Sequence, residues 1–181
     1  LIEQGIAHPG KIGLQGHSWS GFQTSYLVTK TDIFACANIG APITDMVTGY
    51  LGIRGGRGLP RYFMYEEWQS RMGKSLWEAK DKYLASSAIV EADKIHTPLL
   101  IWHNDKDEAV AYEQGRALYL AMRRLQRPAW HLNYKGEGHF LGNQAAQKDW
   151  TIRMKQFFDY YLKGTKEPRW MKEGIHLRER G

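Results

Sequence analysis

Short apolar runs alternate with longer amphipathic segments along most of this chain. Apolar runs predict buried strands at 11–15, 35–39, 98–103 and 129–134. Apolar residues at helical spacing predict longer helices at 22–30, 112–125 and 144–163. Gly164 follows the last of these helices in the position of a C-terminal cap. Strands and helices that alternate in this way predict the α/β class, with a mostly parallel sheet.

A long excursion separates the second predicted strand from the third. Its helices are predicted at 44–50, 62–72 and 76–79. Residues 52–58 are rich in glycine, but they follow a helical stretch and lack the lysine and hydroxyl of a phosphate-binding P-loop. We expect these residues to form a flexible loop.

Ser18 stands between small residues at the junction of the first predicted strand and the first predicted helix. A strand, a sharp turn that carries a serine, and a helix form the nucleophile elbow of α/β-hydrolases. Such a turn strains the serine backbone, so its close neighbours must be glycine or another very small residue. Ser20 occupies the usual place of the last glycine, and Gly21 follows it. The alternative interpretation of Ser18 is an ordinary turn serine.

Candidate partners for this serine follow the later strands. Asp105 and Asp107 lie in the polar turn after 98–103, and His139 lies in a glycine-containing loop after 129–134. The order serine, aspartate, histidine is that of the catalytic triad on the α/β-hydrolase fold. The carboxyl ends of parallel strands are where open α/β sheets place their sites. Asp107 as a helix cap and His139 as a surface histidine remain the alternatives.

Several segments together resemble the C-terminal catalytic domain of the prolyl oligopeptidase family of serine peptidases. The matching segments are 11–19, 41–43, 97–103, 105–107 with Val110, and 138–139. The resemblance implies that the acid of the triad is the second aspartate of the turn, Asp107, in preference to Asp105. It also implies an α/β-hydrolase fold, of which this chain is the C-terminal half of a doubly wound, mostly parallel sheet from the nucleophile strand onward. Asn104 replaces the glycine that is usual in this turn, a tolerable change because asparagine accepts turn conformations.

The family resemblance implies acyl transfer on short peptide substrates through an acyl-enzyme. Ser18 is the expected nucleophile, His139 the base and acid, and Asp107 the group that orients the histidine. The backbone N–H of Trp19 is one expected oxyanion donor, and a tyrosine upstream of this chain is the other. The apolar pocket for the residue before the scissile bond is expected to contain Ile43, Met46, Tyr50 and Val110.

The resemblance covers residues 1–163, and 164–181 are expected to form a C-terminal extension similar to that of Bacteroidetes-type members. We therefore expect the upstream half of the catalytic domain and a β-propeller to belong to the same parent chain. A first strand without its upstream neighbour exposes an edge, which predicts aggregation or negligible peptidase activity for these residues alone. The oligomeric state is left undecided between a monomer and a homo-oligomer. The compartment is likewise undecided between the periplasm and the cytoplasm of a bacterium.

Composition excludes some classes of function. The net charge is +6, but its arginines and lysines are scattered, which favours a solvated surface and no nucleic-acid partner. Cys36 is the one cysteine, so no internal disulfide forms, and it reads as a buried apolar residue. No metal-binding spacing occurs, so no metal and no cofactor are expected. His17 and His103 adjoin strand ends and are expected to pack or to form hydrogen bonds.

Two other classes of function remain compatible with these motifs. The same triad serves carboxylesterases, because only the substrate contacts separate amide from ester cleavage. A non-catalytic binding module on the hydrolase fold is the other alternative, although such proteins usually lose a member of the triad. Comparing peptide and ester turnover is the most informative experiment between the two enzymes.

Overall fold

The computed structural model describes residues 1–175. Its strands are β1 Gly13–His17, β2 Cys36–Gly40, β3 Ile53–Arg54, β4 Leu59–Pro60, β5 Leu99–Trp102 and β6 Ala129–Leu132. Its α-helices are α1 Trp19–Leu27, α2 Met46–Tyr50, α3 Lys80–Ala85, α4 Glu113–Arg124, α5 Gln144–Lys163 and α6 Arg169–Glu173. Short 3₁₀ turns occupy Gly55–Arg57 and Ala92–Lys94, and a π-helical turn occupies Met64–Trp68.

Four of the strands form one parallel sheet in the order β1-β2-β5-β6. Each crossover passes through at least one helix, as parallel pairing requires. All four carboxyl ends therefore lie at the same edge of the sheet, where the loops that follow β1, β5 and β6 meet. The α/β class and the parallel sheet predicted from the apolar runs are confirmed.

The two faces of the sheet are covered by different helices. On β5, Leu99 and Ile101 join the cluster that also contains residues of α4. Leu100 and Trp102, which alternate with them, join the cluster that contains Phe157 of α5. Because side chains of a strand alternate between faces, the apolar run fills two cores at once. This is why the run contains no polar position before Trp102.

Three predicted helices have different bounds in the structure. The first helix begins at Trp19 and not at residue 22, because the serine turn passes directly into it. The helix predicted at 62–72 is reduced to a short helical stretch around the π-helical turn Met64–Trp68. The helix predicted at 76–79 is wrong: Glu78 N–H donates to the Ser75 carbonyl in a hydrogen-bonded turn, and the α-helix begins at Lys80.

The expectation that residues 52–58 form a flexible loop is wrong. Most of them belong to an antiparallel hairpin, in which β3 pairs with β4 around the turn Gly55–Arg57. The hairpin is held against the turn after β5, because Gly55 N–H donates to the Glu108 carbonyl at 2.9 Å and Arg61 donates to the Ala109 carbonyl. A glycine-rich sequence thus becomes an ordered wall through contacts that are distant in sequence.

The C-terminal segment returns to the sheet. Helix α5 ends at Lys163, and Gly164 adopts a left-handed conformation at φ 66°, which confirms its prediction as the cap. Trp130 of β6 then donates from Nε1 to the Met171 carbonyl at 2.7 Å, so α6 packs against the sheet. Residues 176–181 of the predicted extension lie outside the described residues. In the part of the chain that is described, no helix is long and apolar enough to span a membrane.

Stability is expected to fall in acid because of His131. Its ring lies between Tyr112 and Tyr119 at centroid distances of 5.6 and 5.5 Å, and its buried Nε2 has no hydrogen-bond partner among residues 1–175. Burial, followed by the nearby His103 and Arg116, lowers the pKa of His131 from 6.5 to about 4. The unfolded chain takes up this proton below pH 6.5 and the folded chain does so only near pH 4, so stability is lost between those values.

The titration of His131 is expected to lower the free energy of unfolding by at most about 3 kcal/mol, because a shift of one pKa unit corresponds to about 1.4 kcal/mol. His131→Leu removes the titrating group, so its free energy of unfolding should fall less than that of the wild type between about pH 7 and pH 4. Chemical unfolding at several pH values measures both curves. Parallel curves for the two proteins would show that His131 does not contribute to the acid dependence.

Candidate active site

The turn after β1 holds Ser18 in a strained backbone conformation. Its φ is 61° and its ψ is −119°, a combination that non-glycine residues rarely adopt. The turn tolerates no side chain at Gly16, since a Cβ there would lie less than 3.0 Å from the Ser20 carbonyl. Strain of this kind is often found at functional sites, where the surrounding structure maintains it.

Ser20, which occupies the usual place of the last glycine of the motif, stabilises the turn. Its Oγ donates to the His17 carbonyl at 2.8 Å, and His17 N–H approaches the same Oγ at 2.9 Å. Gly21 instead provides the close approach to β2, because a Cβ there would lie less than 3.0 Å from the Gly40 carbonyl. The serine and the glycine therefore divide two tasks, local bonding of the turn and packing against the sheet.

Ser18, His139 and Asp107 form a continuous hydrogen-bonded chain. His139 Nε2 lies 2.9 Å from Ser18 Oγ, and His139 Nδ1 lies 2.7 Å from Asp107 Oδ2. An ionised carboxylate only accepts hydrogen bonds, so His139 donates from Nδ1 and leaves Nε2 to accept from the serine. The Asp107 side chain is fully buried, whereas that of His139 is 15% exposed. Of these two side chains, only that of His139 is thus partly open to solvent.

Asp107 is surrounded by donors. Its Oδ1 accepts from the backbone N–H groups of Ala109 and Val110, both at 2.8 Å. His103 Nε2 approaches Oδ2 at 3.2 Å. Burial opposes the charged carboxylate, but the hydrogen bonds from His103, His139 and Val110 outweigh it and hold the pKa of Asp107 well below its usual range. The carboxylate therefore stays ionised at neutral pH.

Asp105, the competing candidate in the same turn, points elsewhere. Its Oδ1 accepts from Gly136 N–H at 2.7 Å, which links the turn to the loop that carries His139. Asp105 is exposed, whereas the side chain of Asp107 is buried. Of the two aspartates, only Asp107 therefore contacts the histidine.

Two residues that sequence reasoning did not assign to the site hold these loops together. The buried side chain of Asn104 accepts from Tyr134 N–H at 3.1 Å and donates to the Gly138 carbonyl at 2.8 Å. His103 accepts from Gly115 N–H at Nδ1, so its Nε2 carries the proton, which faces both the Val110 carbonyl at 3.1 Å and Asp107 Oδ2 at 3.2 Å. The signal available in the sequence was the position of these two polar residues at a strand end, because polar side chains that become buried need hydrogen-bond partners.

His17 supports the histidine loop from the other side. Its Nε2 donates to the His139 carbonyl at 2.9 Å, and its ring stacks on Trp102 at a centroid distance of 5.0 Å. Burial, and then the neighbouring His139, lower the pKa of His17 and favour the neutral ring. The expectation that His17 and His103 pack or form hydrogen bonds agrees with these contacts.

The predicted pocket residues lie together in one hydrophobic cluster below the site. Ile43, Met46, Tyr50 and Val110 are all buried in it, and the partly buried Trp19 packs against it. Trp19 is also the first residue of α1, so its N–H has no acceptor within the helix. The structure thus packs the apolar set against Trp19, the residue after Ser18, and leaves a backbone donor beside the serine.

Within residues 1–175, no group of three or more histidine, cysteine or acidic side chains has the arrangement of a metal site. Cys36 is buried, and burial raises the pKa of its thiol to about 12. It therefore stays protonated and packs as an apolar residue.

The parallel sheet, the strained serine turn and the loops at its carboxyl edge define an α/β-hydrolase. A sequence profile described as the Prolyl oligopeptidase family matches residues 1–165. The chain therefore belongs to the prolyl oligopeptidase family, and the resemblance noted in the sequence is confirmed.

Individual relatives agree with this assignment. An uncharacterised peptidase of Bacillus subtilis is 24% identical over 158 residues, which are 85% of this chain and 23% of that protein. Dipeptidyl aminopeptidase BIII of Pseudoxanthomonas mexicana is 27% identical over 172 residues, which are 92% of this chain and 24% of that protein. The acylaminoacyl peptidase structure of Pyrococcus horikoshii matches with a TM-score of 0.74 at 20% identity. The match includes 97% of this chain and 29% of the Pyrococcus chain. The chain thus spans about a quarter of each relative.

Proposed function

We propose that this chain carries the catalytic residues of a serine peptidase that cleaves short peptides through an acyl-enzyme. The observation that supports this most directly is the hydrogen-bonded chain from Ser18 through His139 to the buried Asp107. Membership of the prolyl oligopeptidase family and the peptidase names of the relatives support the same activity.

In the proposed first step, Ser18 Oγ attacks the carbonyl carbon of the scissile bond while its proton moves to His139 Nε2. Asp107 accepts from Nδ1 throughout and stabilises the imidazolium that forms. The tetrahedral intermediate then collapses, the C–N bond breaks, and His139 Nε2 gives its proton to the leaving amine. The acyl group remains on Ser18 as an ester.

In the second step, water attacks this ester with His139 Nε2 as the base. The C–O bond to Ser18 breaks, and the proton returns from His139 to the serine oxygen. The product acid leaves and the starting state is restored.

The N–H of Trp19 is the proposed oxyanion donor within this chain. It stands one residue after the nucleophile, and it lies at the positive end of α1. One such donor contributes about 3 kcal/mol to lowering the barrier. The second donor, an upstream tyrosine, and a β-propeller domain are proposed to belong to other parts of the parent protein.

The apolar cluster is the proposed pocket for the residue before the scissile bond. Val110 connects the two parts of the site, because its N–H binds Asp107 while its side chain lies in the cluster. Ile43, Met46 and Tyr50 approach from the excursion after β2. An apolar pocket of this kind favours substrates with an apolar side chain at that position.

A fluorophosphonate probe tests the proposed nucleophile. We expect stoichiometric labelling of Ser18 in the natural full-length protein, because the strained turn exposes an oxygen that His139 activates. Mass spectrometry of the digested adduct identifies the labelled residue, and Ser20, whose Oγ bonds within the turn, is the internal control. A label on Ser20, or no label on folded protein, would contradict the assignment.

Peptide and ester turnover by the labelled and unlabelled protein then separate the two classes of hydrolase. We expect cleavage of short peptides that the probe abolishes. Ester cleavage without any peptide cleavage would instead identify a carboxylesterase.

A further inference from the structure

A cleft of about 390 Å³ opens beside His139 and is not used by the proposed triad chemistry. It lies between the β3–β4 hairpin and the turn after β5, and Gly138 and His139 form part of its wall. The hairpin contributes Arg54 and Arg57, and the turn contributes Lys106. A group bound in this cleft therefore lies next to the catalytic histidine.

The cleft has an excess of positive charge. Arg54, Arg57 and Lys106 face a single acidic residue, Glu108. None of the three basic side chains forms an ion pair with another residue of the described part, 1–175. The Glu108 carboxylate lies against Gly56, where a Cβ would collide with its Oε2. Two positive charges thus remain without compensation inside the cleft.

The walls of the cleft are tied together by backbone hydrogen bonds. Gly55 N–H binds the Glu108 carbonyl at 2.9 Å, so the hairpin is attached to the aspartate turn. Lys106 N–H binds the Glu137 carbonyl at 3.1 Å, so the same turn is attached to the histidine loop. The backbone positions of the basic residues are therefore set relative to His139 before any ligand arrives, which lowers the cost of ordering on binding.

We propose that this cleft is a subsite for a substrate carboxylate close to the scissile bond. The inference rests on the proposed function, since at neutral pH the anionic groups of an unmodified peptide are carboxylates. Guanidinium groups bind carboxylates in a bidentate geometry, and such charge-assisted bonds are stronger than neutral ones. The carboxylate comes either from an aspartate or glutamate side chain or from a free C-terminus, and the experiment distinguishes these sources.

Binding to the Ser18→Ala variant tests the cleft without any chemistry. Peptides that differ only by glutamate or glutamine are compared at each position around the scissile bond, and peptides with a free or amidated C-terminus form the second series. We expect one carboxylate position to lower Kd about tenfold, which corresponds to about 1.4 kcal/mol. Equal Kd values within every pair, or no measurable binding of any peptide, would overturn the proposal.

Variants of the cleft give the direction of the effect. The double variant Arg54→Gln and Arg57→Gln should abolish the preference for the carboxylate, whereas Glu108→Gln should increase it. Lys148→Gln is the matched control, because Lys148 is an exposed basic residue on α5 outside the cleft. A preference that survives the double variant, or that falls equally in the control, would contradict the proposal.

Turnover by the wild-type protein separates this inference from the proposed function. Carboxylate preference in binding, with no peptide cleavage, would leave the subsite standing and reject the peptidase. Cleavage of peptides without any carboxylate preference would reject the subsite and support the peptidase. Salt gives a further check, because the Debye length falls from about 30 Å at 0.01 M to about 3 Å at 1 M and the preference should weaken accordingly.

Discussion

Asp107→Asn is expected to reduce kcat/KM about 10⁴-fold, while Asp105→Asn reduces it less than about tenfold. The asparagine amide keeps the shape of the side chain but offers an N–H group that can turn toward His139 Nδ1. Bonding to that group requires an unprotonated Nδ1, so the proton moves to Nε2, where it blocks acceptance of the serine proton. Asp105 forms no hydrogen bond with His139, and the asparagine Oδ1 that replaces its carboxylate oxygen still accepts from Gly136 N–H.

The two variants are matched in chemistry and separated by a single residue. Steady-state kinetics on any peptide or ester that the natural protein hydrolyses give the ratio, and circular dichroism verifies that both variants fold. A larger loss for Asp105→Asn would move the acid to Asp105 and would require the turn to rearrange from the geometry described above. Similar small losses for both would show that the carboxylate does not orient His139.

Gly16→Ala is expected to destabilise the protein by at least about 3 kcal/mol, at the upper end for an overpacked site. The added Cβ would collide with the backbone carbonyl of Ser20, and a backbone atom within the serine turn cannot move aside as a flexible side chain can. Any protein that folds must displace the turn and with it Ser18. A displacement of about 1 Å costs about 10²-fold in turnover.

Gly142→Ala is the control for this substitution. A Cβ at Gly142 would lie 3.6 Å from Glu137 Oε2, which is an ordinary contact, and the residue is exposed in the loop before α5. Urea unfolding and active-site titration measure stability and the fraction of competent sites in each variant. If Gly16→Ala were as stable and as active as Gly142→Ala, then the turn would not require close packing at residue 16.

Local patterns were sufficient to predict the four strands of the parallel sheet and the long helices. The run that became β5 reads as buried from sequence because both of its faces are covered, and so every position is apolar. Gly164 was predictable because only a left-handed residue ends α5 in this way. The helix predicted at 76–79 is wrong, because Glu78 N–H donates to the Ser75 carbonyl and closes a turn that periodicity alone does not distinguish from a helix.

The candidate site was only partly readable from the chain. Chain order and strand ends bring Ser18 and His139 to one edge of the sheet, but they do not choose between Asp105 and Asp107, which share one turn. Only the folded turn directs one carboxylate toward His139 and the other toward Gly136. Nor does the local sequence around Asn104 reveal its partners, because they lie in the loop after β6.

The sequence by itself determined the α/β class, the serine turn, and the family, because those features depend on short-range periodicity and on small residues at particular spacings. The resemblance to the family favoured Asp107 over Asp105, whereas the tertiary structure alone decided how His17 and Asn104 hold the histidine loop and that residues 52–58 form a basic wall beside it. The physical reason is the same in each case. These contacts join segments far apart in the chain, and their geometry exists only when the sheet brings the loops together.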